Sequence, residues 1–312
     1  MKNLKKLLFA ATLAIPGILV AQQSPQYTMA MFNRQVYNPA FVAEEGLINI
    51  EVGGRTQWVN LEGAPQTFVL AVEAPVGKSI GLNQTGAGLI LVNDRIGYYT
   101  NNVLGLQLSH GYVVKNSVVS IGLQGTFGRE VSDFTNSNSN SNVDPSLTNN
   151  TPQYTGNFGL GVKVSNAKYF AGLSMNQVLK NSYNENATED NLHYFGMAGM
   201  HLNRDGLFSY HPIVIAKYAG DNNTSSNLSV DGGMYVTLDQ KISLGALYRF
   251  KESVAAMLKL RISNEFSLGY AYDFGLNQLS NQFAGSHEVW LSFNLGKVNP
   301  NSVVSPRMFN YY

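Results

Sequence analysis

The sequence predicts an all-β fold: a transmembrane outer-membrane β-barrel of about 14 antiparallel strands. Three observations lead there. Apolar and polar residues alternate with period two along most of the 312-residue chain, the spacing that sends successive side chains to opposite faces of a strand. Only 13% of the residues are charged, about half the roughly 25% of an ordinary soluble domain. The connections between alternating segments are mostly short at one end and long at the other, except for a longer one after strand 2 and short ones after strands 3 and 11, the asymmetry of barrels with periplasmic turns and extracellular loops.

In chain order, Met1-Lys-Asn-Leu-Lys-Lys6 and an apolar run from Leu7 to Val20 lead into Ala21-Gln22-Gln23. A charged, then apolar, then small-residue order is that of a secretory signal peptide. As an N-terminal membrane anchor the run is short, about 14 residues against the roughly 20 that a spanning helix needs. Residues 1–21 are therefore expected to be a cleaved signal, and residues 22–46 a periplasmic or plug segment. The barrel is expected over 47–295, with strands near 47–59, 66–74, 84–92, 97–112, 117–128, 155–164, 168–176, 191–202, 207–218, 227–237, 241–250, 252–262, 265–274 and 286–295. Residues 296–312 form a short C-terminal tail, expected on the periplasmic side with the short turns.

Each strand carries its own evidence. Ile48, Ile50, Val52, Gly54, Thr56 and Trp58 share a face opposite Asn49, Glu51, Arg55 and Gln57. Val289, Leu291, Phe293 and Leu295 face away from Glu288, Ser292 and Asn294. Lipid requires every backbone N–H and C=O to be paired, so only a helix or a closed sheet can span it. A soluble β-sandwich or propeller, the competing architecture, calls for larger inward side chains and more surface charge. Trp58, Tyr98, Tyr112, Tyr169, Tyr210, Tyr218, Tyr248, Phe274 and Trp290 fall near strand ends, where interfacial belts collect amphipathic rings. Lys163, Lys259, Arg249, Arg261, Glu51, Glu73 and Asp231 are expected in the lumen, filling space or setting ion selectivity.

Several kinds of chemistry are excluded or poorly supported. Without cysteine there is no disulfide scaffold, no thiolate metal site and no lipidated N-terminus. A formal charge of +1 gives no basic excess for nucleic acid. His110, His193, His201, His211 and His287 are scattered without zinc spacing. No Gly-x-Ser-x-Gly elbow supports a serine hydrolase. Gly86-Ala-Gly88 and Gly159-Leu-Gly161 sit within strands, so they are structural glycines and not phosphate cradles. Asp133, Asp144 and the Asn/Ser tract at 136–142 form a solvated loop more readily than a calcium site. The expectation is a chain that is not an enzyme, with no cofactor and no metal.

Three separated segments and the tail resemble the PorP/SprF family of type IX secretion membrane proteins of the Bacteroidetes. They are Pro25-Gln-Tyr-Thr-Met-Ala-Met-Phe-Asn33 running to Asn38-Pro39-Ala40-Phe41; Arg55-Thr-Gln-Trp58 with Gly63-Ala-Pro65-Gln-Thr67; and Gly269-Tyr-Ala-Tyr-Asp273 with Gly285-Ser-His-Glu288. The tail is Ser305-Pro-Arg-Met-Phe309. Phe41-Val-Ala43 stands where the family often has Tyr-Ala-Gly, and Asn310-Tyr-Tyr312 runs past the usual end. The resemblance implies a non-enzymatic outer-membrane component of the type IX secretion and gliding-motility apparatus that supports secretion or surface attachment of cargo such as adhesins. Its implied partners are periplasmic ring or peptidoglycan-associated components, a secreted adhesin cargo and outer-membrane lipid. Tyr27, Met31, Phe32, Asn33, Asn38 and Pro39, with Ser305, Pro306, Arg307 and Phe309, are the expected partner contacts, being of interface-forming types in segments outside the barrel. The alternatives are a passive or substrate-selective pore, like a porin or fatty-acid channel, and an adhesin base exposing the loop at 129–154.

Overall fold

The computed structural model describes residues 25–77, 84–133, 152–179, 192–204, 206–220, 226–276 and 283–296. Fourteen strands form one closed antiparallel barrel. They are β1 Ile48–Thr56, β2 Gln66–Pro75, β3 Gln84–Ile96, β4 Tyr99–Val114, β5 Ser117–Ser132, β6 Gln153–Ser165 and β7 Tyr169–Gln177. The second half comprises β8 Leu192–Met200, β9 Phe208–Gly220, β10 Ser226–Leu238, β11 Ile242–Arg249, β12 Ser253–Arg261, β13 Phe266–Gly275 and β14 Ser286–Leu295. Neighbours in sequence pair in order, and β1 closes on β14 with Ile48 opposite Leu295 and Thr56 opposite His287. No edge is left open, which meets the requirement that lipid places on backbone polar groups. No described helix is long and apolar enough to cross a membrane.

Alternation sorts the side chains. On β4, Leu106 and Leu108 are 59% and 57% exposed, while Gln107 and Ser109, which alternate with them, are buried. The outer face is thus an apolar band and the inner face a polar one. Tight turns close one rim: Asp239 (φ 46°) and Gln240 (φ 53°) both take left-handed backbone between β10 and β11, the handedness that matches strand twist in two-residue hairpins. The rim with long connections takes the odd-numbered strands into loops such as that between β5 and β6.

The structure changes two expectations. β3 runs to Ile96, beyond the expected end at 92, because Asn93, Asp94 and Arg95 continue the ladder opposite Asn102, Asn101 and Thr100. Polar residues on both faces hid that extension. Trp290 does not join the aromatic belt. It shares the inward parity of Glu288 and Ser292, is buried, and donates from Nε1 to Glu288 Oε1 at 2.7 Å. The seven belt residues from Tyr98 to Phe274 are exposed, whereas Trp58 is half-buried just past the end of β1.

Residues 25–47 lie against the inward face of the wall in three single-turn 3-10 helices, Met29–Met31, Arg34–Val36 and Pro39–Phe41. The last is set locally: Asn38 Oδ1 accepts from Ala40 N at 2.8 Å and Pro39 takes the first helical position, where its missing N–H costs nothing. Glycines in the wall make room. A side chain at Gly122 would collide with the backbone of Pro39 and Ala40, and one at Gly161 with the Asn38 amide.

Candidate functional site in the barrel lumen

The strongest concentration of chemistry is where the N-terminal segment meets β1, β13 and β14. Period two places Arg55, Asp273 and Glu288 on the inward face, and the β1–β14 and β13–β14 registers set Glu288 directly opposite Arg55 and Ala271. The Arg55 guanidinium pairs with Asp273 at 2.6 Å and with Glu288 at 2.9 Å. It also donates to Thr28 Oγ1 at 3.0 Å. Thr28 Oγ1 in turn donates to Asp273 at 2.8 Å, and the backbone N–H groups of Thr28 and Met29 donate to the two Glu288 oxygens, each at 2.8 Å. Residues from three distant stretches, 28–29, 55 and 273–288, thus share one buried cluster. Buried charges persist only where paired and hydrogen-bonded, and this cluster meets that condition with the segment's own backbone.

The network extends around the wall. Arg249 reaches Asp273 at 3.5 Å and Asp231 at 3.3 Å, and Lys217 pairs with Asp231 at 2.7 Å. A second group sits lower on the segment, where Glu44 bridges Arg34 at 3.3 Å and Lys163 at 3.2 Å. The Arg34 guanidinium stands 4.2 Å from the Phe170 ring centre and 5.0 Å from that of Phe41, a cation–π arrangement favoured when desolvated. Glu73 accepts from Ala43 N at 2.8 Å and from Asn49 at 3.2 Å. Asn38 donates to the carbonyls of Val162 and Leu173, while Ser174 and Asn176 donate to Tyr37 O.

Of the residues expected to contact partners, Tyr27, Met31, Asn33, Asn38 and Pro39 are buried against the wall, and Phe32 is half-buried. Tyr27 meets Trp290 edge-on at 6.2 Å, and Phe32 packs on Tyr235 at 4.8 Å. Ser305, Pro306, Arg307 and Phe309 lie outside the described residues, as do the expected signal at 1–21, the tract at 136–142 and Asp144. Lys163, Glu51, Glu73, Asp231 and Arg249 are buried on the inward face, and Lys259 and Arg261 share the parity of buried Ala255 and Met257 on β12.

Sequence reasoning did not find Thr28 or Glu44. The available signal was scarcity: Arg34, Glu44 and Glu45 are the only charges between residues 25 and 47. The histidines, scattered in sequence, are not all apart in space. Pairing of β8 with β9 brings His201 Nδ1 to 2.7 Å from His211 Nδ1, and His211 Nε2 to 3.0 Å from Ser209 Oγ. Burial pushes the His201 imidazole down to about 2, with Arg34 adding to the effect, so this chain of polar groups stays uncharged at His201 across the physiological range. No group of three or more metal-ligating side chains occurs among the described residues.

A closed antiparallel barrel with an apolar outer band and a polar interior is an outer-membrane protein by class. More narrowly, the chain belongs to the PorP/SprF family: the model for the type IX secretion system membrane protein PorP/SprF matches residues 19–293. It is therefore an outer-membrane component of the type IX secretion system. Among solved structures the barrel is similar to the monoaromatic hydrocarbon channel CymD (10% identity, TM-score 0.49, covering 88% of this chain and 94% of that one). It is also similar to the Ralstonia pickettii toluene transporter TbuX (11%, 0.49, 85% and 92%) and to the Acinetobacter baumannii outer membrane protein Omp33 (7%, 0.48, 80% and 100%). No curated protein matches the chain.

Proposed function

We propose that this protein is a non-enzymatic scaffold of the type IX apparatus that supports secretion or surface attachment of particular cargo, such as adhesins. In this reading residues 1–21 are a cleaved signal and residues 25–47 close the lumen as a plug. The tail containing Ser305, Pro306, Arg307 and Phe309 meets periplasmic ring or peptidoglycan-associated components. One observation carries it: the segments that resemble the family, at 25–41, 55–58, 269–273 and 285–288, meet in the cluster of Thr28, Arg55, Asp273 and Glu288. An internal segment fastened by ion pairs takes up room that a passive pore would leave to water. A scaffold gains rigidity from it.

The test replaces the native gene with one lacking residues 305–312 and measures cargo on the cell surface. Retained barrel in the outer membrane with lost cargo supports the reading. Unchanged cargo with normal assembly removes the contact role of the tail, and unchanged cargo after deletion of the whole gene removes the secretion role.

A further inference from the structure

Between the segment and the wall of β10–β14, the lumen opens toward the short-turn rim in a cavity of about 60 Å³. Its charged lining is Lys241, Lys259, Arg261 and Glu45, three cations to one anion. Lys259 and Arg261 stand two residues apart on β12, so both point inward while Leu258 and Leu260 point to lipid. Lys241 stands on the β10–β11 turn, paired with Asp239 at 2.7 Å. The floor is aromatic: the Phe32 ring packs on Tyr235, and the Lys259 ammonium lies 4.9 Å from the centre of the Phe32 ring. Hydroxyls complete it, with Thr237 and Ser243 bonded to one another at 2.8 Å.

We propose that this cavity is a binding site for an acidic peptide segment of a periplasmic partner, taking one carboxylate against Lys259 and Arg261 and the adjoining side chain against Phe32 and Tyr235. A guanidinium fork matches a carboxylate in geometry as well as charge. With Asp239, the partner of Lys241, the mouth holds three cations and two anions, a basic excess in a chain whose residues 22–312 carry 18 basic and 20 acidic side chains. Such a contrast concentrates anions at the mouth. The strands separate the cavity from the bilayer, which leaves lipid headgroups on the far side of the wall. The short-turn rim faces the periplasm in barrels of this type, where the partners of the proposed scaffold role reside. The inference deepens that role and rests on it for the partner's location. Phe32 belongs to the lumen segment, so an occupant would touch plug and wall together.

The test uses the purified full-length barrel in detergent and fluorescent hexaglutamate, with hexalysine and inorganic phosphate as comparisons. Hexaglutamate should bind in a salt-sensitive manner and hexalysine should not. The double variant Lys259→Gln/Arg261→Gln should weaken hexaglutamate binding at least 10-fold, and Lys241→Gln, whose side chain is exposed on the β10–β11 turn, about 3-fold. Equal binding of the two peptides, or binding unchanged in both variants, overturns the proposal. Displacement by phosphate at concentrations equal to the peptide's also overturns it, assigning the cavity to small anions. Because the readout is binding to the isolated barrel, failure here leaves the cargo result for the scaffold role standing.

Discussion

Arg55 holds two carboxylates and a hydroxyl on one guanidinium. Removing one member of a buried ionic group typically costs about 3–5 kcal/mol, because the remaining charges stay behind without compensation. Arg55→Ala takes away the Glu288 ion pair and leaves Asp273 only the longer Arg249 contact at 3.5 Å, and Arg55→Lys keeps the charge but loses the fork. The chain has no cysteine, so Met29→Cys, at a position only 1% exposed, reports on the segment directly. The introduced thiol should resist maleimide in the native background and react at least 10-fold faster with Arg55→Ala, with Arg55→Lys between. Equal rates in all three would mean that the ion pairs do not fasten the segment. Shape makes a second prediction. Gly122→Val drives a side chain into the Pro39–Ala40 backbone, which cannot swing aside as a side chain can, at a cost of about 1–3 kcal/mol. Gly125→Ala meets nothing within 4 Å and should be neutral. The same thiol-labelling assay separates the two.

At the scale of elements, each strand is a lipid face and a lumen face interleaved. Leu106→Lys puts a charge in the lipid-facing band and should cost about 2–4 kcal/mol if it sits near the midplane, read as a lower urea midpoint for the barrel in vesicles. A midpoint equal to the native one would contradict the inside–outside assignment. Strand positions and their count were legible in the sequence because period two is a local signal and nearly every strand keeps it. Trp290 shows where a second signal misleads: its aromatic character argued for the belt, while its parity with Glu288 already placed it inside. The ends of β3 were hidden because above the apolar band both faces are polar. The course of residues 25–47 was not legible at all. It follows neither helical nor strand spacing, and the gaps that receive it, at Gly86, Gly122, Gly161 and Gly269, are spread over most of the chain and become neighbours only when the barrel closes.

At the scale of the whole molecule, the closed wall, the ion-paired segment and the turn-side mouth make one object, a barrel whose interior is occupied. Its low charge content is the consequence of a lipid-facing surface. Among the described residues, inward charges such as Arg34, Glu44, Arg55, Asp273 and Glu288 hold the segment, while others, such as Lys115, Lys168 and Lys251, sit on turns. In the proposed scaffold role the segment closes the aqueous path that a pore would need, so conduction distinguishes the two readings. The most direct measurement is conductance of the purified protein in a planar lipid bilayer. The native barrel should be electrically silent, and a chain lacking residues 25–44, or carrying Arg55→Ala if that deletion does not assemble, should open steady or intermittent channels. Steady conductance from the native barrel, unchanged by either alteration, would contradict the account.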